Sequence, residues 1–372
     1  ASGAAITIRG VASLESDKSF EPSIGVVMDG MFLGTSSGVL LDNFDIERIE
    51  VLRGPQGTLF GKNTTGGILN VIRTPVSLNE RGVDLKLTAG EYGREDVSAV
   101  VQLPIIQDTL GLKLFAAKVE HDGHVRNTTR NEDVGGDDKT NYGFTALWTP
   151  TDNFDLKVHY EIMKDKSVQG AYVNRNRVGE LACTLTLIGF DPANGCEKDA
   201  NDGPDKTESD GKNFSDNDYK STIITANYDT DAFLYTYIYS NRDMDEQNMQ
   251  DFDGAPVHLL RMNFFNDWEQ TSHELRLTSQ FSDRVQFIAG VYDWEADFEQ
   301  RWDVYDLFYQ LSRLGNPTWA PGRQGVPGYV DVFPWEDDVA GNNGQAQVTE
   351  SLAVFASADW YLNDEWTLTA GF

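Results

Sequence analysis

Several side-chain sets in this chain have the types, and part of the spacing, that chemistry requires. Gly34-Thr35-Ser36-Ser37-Gly38 fits G-x-S-x-G, the turn that presents a nucleophilic serine in hydrolases. That turn needs a helix after it and an acid and a histidine further on, and no helical pattern follows Gly38. Gly57-Thr58-Leu59-Phe60-Gly61-Lys62-Asn63 is close to a phosphate-cradling loop, but three residues separate its glycines where four are required. Asn63 also stands where a magnesium-binding hydroxyl belongs. The five histidines, His121, His124, His159, His258 and His273, are scattered, and none forms an H-E-x-x-H pair. His121 and His124 are read as solvated, not as metal ligands. The run Asp199–Asp218 is dense in oxygen donors, yet Asp210 occupies the place where a calcium loop requires glycine. No set supports catalysis, and no metal or cofactor is expected.

Two other features invite a binding role. Cys183 and Cys196 lie in a polar segment with twelve residues between them, which reads as a loop disulfide in an exported protein. The segment from Gln300 to Trp335 carries Trp302, Tyr305, Phe308, Tyr309, Trp319, Tyr329, Phe333 and Trp335, with Arg301, Arg313 and Arg323 between them. So many large aromatics in a loop either form a binding surface or pack on one another to stiffen it, and the two readings are compatible.

The elements that must hold these residues follow from composition and period. A net charge of -29 over 372 residues argues against a nucleic-acid partner. No run of about 20 apolar residues is present, so no transmembrane helix is expected. A β-barrel remains open, because each crossing needs only about ten alternating residues. The 11% aromatics, the 34 glycines and a mean hydropathy of -0.42 suit such a barrel with its girdles, turns and polar lumen. No signal-peptide pattern follows Ala1, and the chain stops at Phe372 partway along a strand pattern, so an internal fragment is expected.

From about Gly82 onward, apolar and polar residues alternate with period two. Phe154, Leu156, Val158, Tyr160 and Ile162 face one way, and Asp155, Lys157, His159 and Glu161 the other. Val83–Ala89, Val97–Leu103, Tyr142–Trp148 and Leu352–Leu362 repeat the pattern. Short connections are expected at Pro104–Thr109, Pro150–Asn153, Asp229–Ala232, Ser282–Arg284 and Asn363–Glu365. Long ones are expected at Asp122–Lys139, Lys166–Asp218, Asp245–Asp267 and Glu299–Val348. Short turns on one side and long loops on the other mark an outer-membrane barrel. Aromatics such as Trp148, Phe154, Tyr228, Phe233, Trp360 and Trp366 flank the short turns, where an interfacial girdle would sit.

Upstream lies a glycine-punctuated stretch. Glu47-Arg48-Ile49-Glu50-Val51-Leu52-Arg53-Gly54-Pro55 is followed by Phe60-Gly61-Lys62-Asn63 and by Gly66-Gly67-Ile68-Leu69-Asn70-Val71, ending at Pro75. With Ile8–Gly10 and Val26–Gly34, these runs resemble the plug domain of TonB-dependent outer-membrane receptors. The resemblance implies a mainly β fold: an α+β plug over residues 1–78, then about 11 of about 22 strands of an antiparallel transmembrane barrel over 79–372. It implies that plug loops Ser13–Ser23 and Met31–Ser37 form the floor of a ligand site. Phe32, Thr35 and Ser36, with Trp302, Tyr305, Trp319 and Trp335, are the expected ligand contacts. Arg48, Glu50 and Arg53 match charged positions that lock the plug to the barrel; the alternative is a solvated sheet edge.

The implied activity is ligand-gated active uptake across the outer membrane of a Gram-negative bacterium, with no enzymatic step. The implied partners are outer-membrane lipid, a large scarce solute and the TonB–ExbB–ExbD complex, which engages a TonB box absent from this sequence. Ferric siderophores come first among solutes, with glycans and cobalamin behind. A passive surface barrel needs no plug, and a secreted glycan hydrolase would need a carboxylate pair that no spacing here selects.

Overall fold

The alternating segments are strands and the polar, glycine-rich runs between them are turns. The computed structural model describes residues 6–13, 22–35, 37, 44–54, 64–170, 172–173, 205–254, 260–282, 284–306, 341–363 and 365–371. In the plug region, β1 (Ile6–Ile8) and β2 (Val11–Ser13) form a hairpin. Strands β3 (Ile24–Met28), β4 (Met31–Leu33), β5 (Ile46–Arg53) and β6 (Gly67–Arg73) form a sheet in the order β4-β3-β6-β5. Only strand is found among the described residues here, so the α part of the expected α+β plug is not among them. The β3–β4 turn is Asp29-Gly30, with φ of 49° and 93°. Two successive positive φ values give the turn whose twist suits a two-residue hairpin, and Asp-Gly tolerates both.

The rest of the chain builds a wall. Its strands, in chain order, begin with β7 (Gly82–Ala89), β8 (Glu95–Ile106) and β9 (Leu110–His121). Short β10 (Val125–Asn127) and β11 (Glu132–Val134) precede β12 (Asp137–Thr151) and β13 (Phe154–Asp165). After β14 (Lys206–Thr207) come β15 (Phe214–Asp229), β16 (Phe233–Asp251) and β17 (Leu260–Ser279). The last are β18 (Val285–Asp306), β19 (Gly341–Tyr361) and β20 (Thr367–Gly371). Eleven of these form one antiparallel meander, β20-β19-β18-β17-β16-β15-β13-β12-β9-β8-β7.

Because neighbours in sequence are neighbours in space, the connections alternate between two rims. The short turns share one rim and bond one another: Thr149 N–H to Thr109 O at 2.7 Å, Asp229 to Asn153 at 2.8 Å, Gln280 to Ala232 at 2.8 Å, and Tyr361 to Arg284 at 2.9 Å. The long connections are shorter than their sequence suggests. Strand β16 continues to Asp251 and β17 starts at Leu260, inside the expected Asp245–Asp267 loop. Strands β18 and β19 likewise reach Asp306 and Gly341, inside Glu299–Val348, and β10, β11 and β14 form a small sheet within the first two long connections. The strands run on because paired backbone needs no lipid; β18 has 22 residues where about ten cross a bilayer.

The two faces of the wall are inverted relative to a water-soluble protein. Outward-facing Leu85, Leu87, Tyr235, Tyr237, Leu275, Val291, Leu352 and Val354 are exposed, while inward-facing Lys113, Asn141, His159, Asn217, Ser240, Arg242 and Gln270 are buried. Lipid is the medium that makes this arrangement favourable. Further from the short-turn rim the outward face changes to Asp218, Asp243, Asp245, Asp267, Glu269, Asp297 and Glu299. These form a collar in which acids oppose acids across strands, as in Asp218–Asp245, Asp245–Asp267 and Glu269–Asp297. Such a collar belongs above the hydrocarbon, in water. No helix among the described residues is long and apolar enough to cross a membrane, which has no bearing on crossing by strands.

Candidate functional site

The plug region sits against the buried face of the wall and meets it at two levels. The lower contact is ionic. Lys113 lies three residues from the start of β9, and its Nζ is 2.5 Å from Asp45 Oδ2 and donates to Thr74 O at 2.6 Å. Higher up, Arg73 reaches Asp29 Oδ2 with one guanidinium nitrogen at 3.2 Å and Glu161 Oε2 with the other. Asn141 donates to the second Glu161 oxygen at 2.7 Å, and His159 lies flat against the Phe115 ring. Burial, the largest single influence, pushes the Asp29 carboxyl up, but the Arg73 guanidinium, Lys157, the Arg73 backbone N–H and His159 together outweigh it and hold the acid below its ordinary range.

The upper contact is made by backbone groups of the plug. Gln270 Nε2 donates to Phe32 O at 2.7 Å, and its Oε1 accepts from Gly34 N–H at 3.1 Å and from Trp268 Nε1 at 3.2 Å. Arg242, directly opposite Gln270 on the neighbouring strand, donates through Nη2 to Ser37 O at 2.7 Å. Gly34 has to be glycine, since a Cβ there would lie 2.7 Å from the Trp268 ring and 2.8 Å from the Trp294 ring. The Phe32 ring meets Trp294 edge-on at 6.3 Å. Val27, Phe32 and Ile68 of the plug and Trp268, Trp294 and Phe298 of the wall belong to one hydrophobic cluster.

From this contact an aromatic and amide-lined surface climbs β17 and β18 toward the long-loop rim. Trp268 stands opposite Phe298, with rings 5.6 Å apart, and Phe264 stands opposite Trp302. Phe252 and Tyr172 continue the line from Phe264, at centroid distances of 6.3 and 5.2 Å. A polar belt crosses it over five strands. Tyr219 donates to Glu246 at 2.7 Å, Asn266 to Glu246 at 3.2 Å, Gln300 to Asn266 at 2.6 Å and Gln345 to Gln300 at 2.9 Å. Rings for stacking beside amides for hydrogen bonding are what a large, partly aromatic solute requires. No cluster of three or more potential metal ligands occurs among the described residues.

The expected site residues are only partly brought together. Phe32 and Thr35 are buried in the plug–wall contact, at 5% exposure each, and Trp302 lines the aromatic surface. Tyr305 lies in β18 opposite Arg261. Ser36, Trp319, Trp335, Cys183 and Cys196 lie outside the described residues. Arg48, Glu50 and Arg53, the expected lock, meet no wall partner among the described residues. They lie on β5, the edge of the plug sheet, where Arg48 is half exposed and bonds the plug's own Glu47 and Glu50 at 3.0 and 2.8 Å. A charge that keeps its water there needs no buried partner, whereas Arg73, deeper in the contact, does. Sequence reasoning passed over Arg73, Asp29, Arg242 and Gln270. The Asp29-Gly30 dipeptide between apolar runs was the available signal for the hairpin that carries Asp29; nothing sets Arg242 and Gln270 apart from other polar residues of the inward face.

Comparison with known proteins agrees with this architecture. The model of the TonB-dependent Receptor Plug Domain matches residues 1–68. The pesticin receptor of Yersinia enterocolitica is 24% identical over 98% of this chain and 46% of its own length. The ferrioxamine receptor of the same species is 24% identical over 44% of the chain and 21% of its own length. Among solved structures, the ferric yersiniabactin uptake receptor FyuA from Yersinia pestis superposes with a TM-score of 0.76 at 18% identity, covering all of this chain and 50% of that one. The ferripyoverdine receptor of Pseudomonas aeruginosa gives 0.67 at 13%, covering 95% of this chain and 45% of that one. The chain thus spans about half the length of the relatives it matches. Plug region, inverted wall and relatives point the same way: residues 1–68 match the plug domain of TonB-dependent receptors, and the chain as a whole is similar in sequence and fold to receptors of that kind.

Proposed function

We propose that this chain is the plug (residues 1–78) and the first part of the barrel (79–372) of a receptor that takes up a ferric siderophore by TonB-coupled transport. The carrying observation is the run of rings from Tyr172 and Phe252 through Phe264, Trp302, Phe298 and Trp268 to the plug at Phe32. Aryl groups of a ferric complex stack on such a surface, and the amide belt offers donors and acceptors to its oxygens. Phe32, Thr35 and Trp302 are assigned to this ligand site, and Ser36, Tyr305, Trp319 and Trp335 are added to it from the sequence. Relatives named for ferrioxamine and ferric yersiniabactin support this solute class. Sugar rings stack on the same surface, which keeps glycan uptake as the second reading.

The test is growth of the parent bacterium with and without the intact gene, on iron chelated by defined siderophores and on oligosaccharides as sole carbon. Iron-dependent growth that needs both this gene and TonB is the expected result. Growth defects confined to a carbon source would move the reading to glycans. Single-channel conductance without energisation would replace it with a passive pore.

A further inference from the structure

Among the described residues, four basic side chains are held in the interior or under the outer connections, and three have acid partners. Arg73 lies between Asp29 and Glu161, Lys113 lies on Asp45, and Arg261 is 3.5 Å from Asp210. Arg242 differs. It is 2% exposed, and no carboxylate pairs with it among the described residues. Its Nη2 is satisfied by a neutral acceptor, the Ser37 carbonyl, and its Nη1 has no hydrogen-bond partner. The guanidinium lies 5.7 Å from the Tyr219 ring, whose hydroxyl is already given to Glu246. A buried cation whose direct contacts are a carbonyl and a ring, and whose nearest acting carboxylate, Glu161, makes no ion pair with it and is already bonded by Arg73 and Asn141, keeps much of its desolvation cost uncompensated.

The place of this cation matters as much as its isolation. Arg242 is the partner of Gln270 in the cross-strand register, and the two together hold plug backbone at Phe32, Gly34 and Ser37. Gln270 is also bonded to Trp268, the inner end of the aromatic surface. A solute travelling down that surface therefore arrives at the pair that grips the plug. An ionised oxygen makes a shorter and roughly twofold stronger bond to a guanidinium than a neutral carbonyl does.

We propose that Arg242 is the receiving site for a carboxylate of the incoming solute, and that this carboxylate takes the guanidinium from Ser37 O and so loosens the plug. The inference rests on the uptake reading, and it assigns both a chemical feature of the solute and the step that couples its arrival to the plug. Gln270 alone then holds Phe32 and Gly34.

The test uses amide hydrogen exchange in the full-length receptor in detergent, with benzoate as the aromatic carboxylate probe and benzyl alcohol as its neutral counterpart. Benzoate is expected to speed exchange across Phe32–Ser37 by about three- to tenfold, the equivalent of one lost hydrogen bond, and benzyl alcohol to leave it unchanged. In Arg242→Gln the benzoate response disappears. In Gln270→Ala basal exchange rises while the benzoate response persists. Equal responses to the two probes, no response to benzoate, or a full response in Arg242→Gln would each overturn the proposal. The wild-type comparison of the two probes decides without any variant. A failed iron-uptake assay would remove the transport reading and leave this exchange result standing, so the two failures are distinguishable.

Discussion

The lower and upper plug–wall contacts hold the same two bodies together by different means. Below, Arg73 and Lys113 meet carboxylates on both sides of the junction, and both partners are buried. Above, Gln270 and Arg242 hold only backbone amides and carbonyls, and one guanidinium nitrogen is left over. A junction of matched charges is hard to open, because each half is left as a buried ion. A junction whose plug side offers only neutral backbone groups opens at small cost once something else satisfies the Arg242 and Gln270 donors. The difference assigns anchoring to the lower contact and release to the upper one.

The strongest way to break this comparison is Glu161→Ala. Removing one acid leaves Arg73 with Asp29 alone, and loss of a buried partner of this kind costs roughly 3–5 kcal/mol. Amide exchange throughout β3 and β6 should rise while the wall strands stay protected; unchanged protection would make the lower contact an accessory. Next comes Gly34→Ala, which forces a methyl against two indole rings. Overpacking there should cost about 1–3 kcal/mol and displace the upper contact only, visible as a change in Trp268 and Trp294 fluorescence.

A smaller effect should follow pH. The folded-state value of Asp29 lies below its ordinary 3.8, so its stabilisation is complete above that value and fades as pH falls through the lower one. Plug protection should therefore hold from neutrality to about pH 4 and decline in more acid solution. A decline that begins near pH 6 would assign control to another group. The smallest effect should come from Arg48→Ala. This residue is exposed and, among the described residues, pairs only with Glu47 and Glu50 of its own strand, so unfolding midpoint and plug exchange should stay within error of wild type.

The same contrast explains what the sequence disclosed. Where one face meets lipid, alternation is clean: Leu156, Val158 and Tyr160 against His159 and Glu161 placed β13 and its inward face correctly. Beyond the hydrocarbon neither face has to be apolar, and Asp245, Glu246, Asn266 and Asp267 read as loop although they are paired strand. The short turns were legible from Asn, Asp, Pro and Ser punctuation and fell where expected. The anchoring residues were not, because charge in the plug was judged from resemblance at Arg48 and Arg53, while burial selects Arg73. Arg242 and Gln270 resemble Ser240 and Ser272, their neighbours on the same inward face, until the plug backbone is brought beside them.

The acidic collar has a kinetic consequence. Acids facing acids across β15 to β18 surround the outer half of the wall with negative potential, and ions in solution screen it over about 10 Å at 0.1 M salt. A cationic solute would be drawn to such a mouth and arrive more slowly as salt is added. A carboxylate-bearing ferric complex of net negative charge meets the reverse, and its association rate should climb from 10 to 200 mM sodium chloride while its dissociation rate barely changes. Stopped-flow quenching of the lumen tryptophans would register it. A rate that falls over that range would mean that the solute reaches this receptor as a cation.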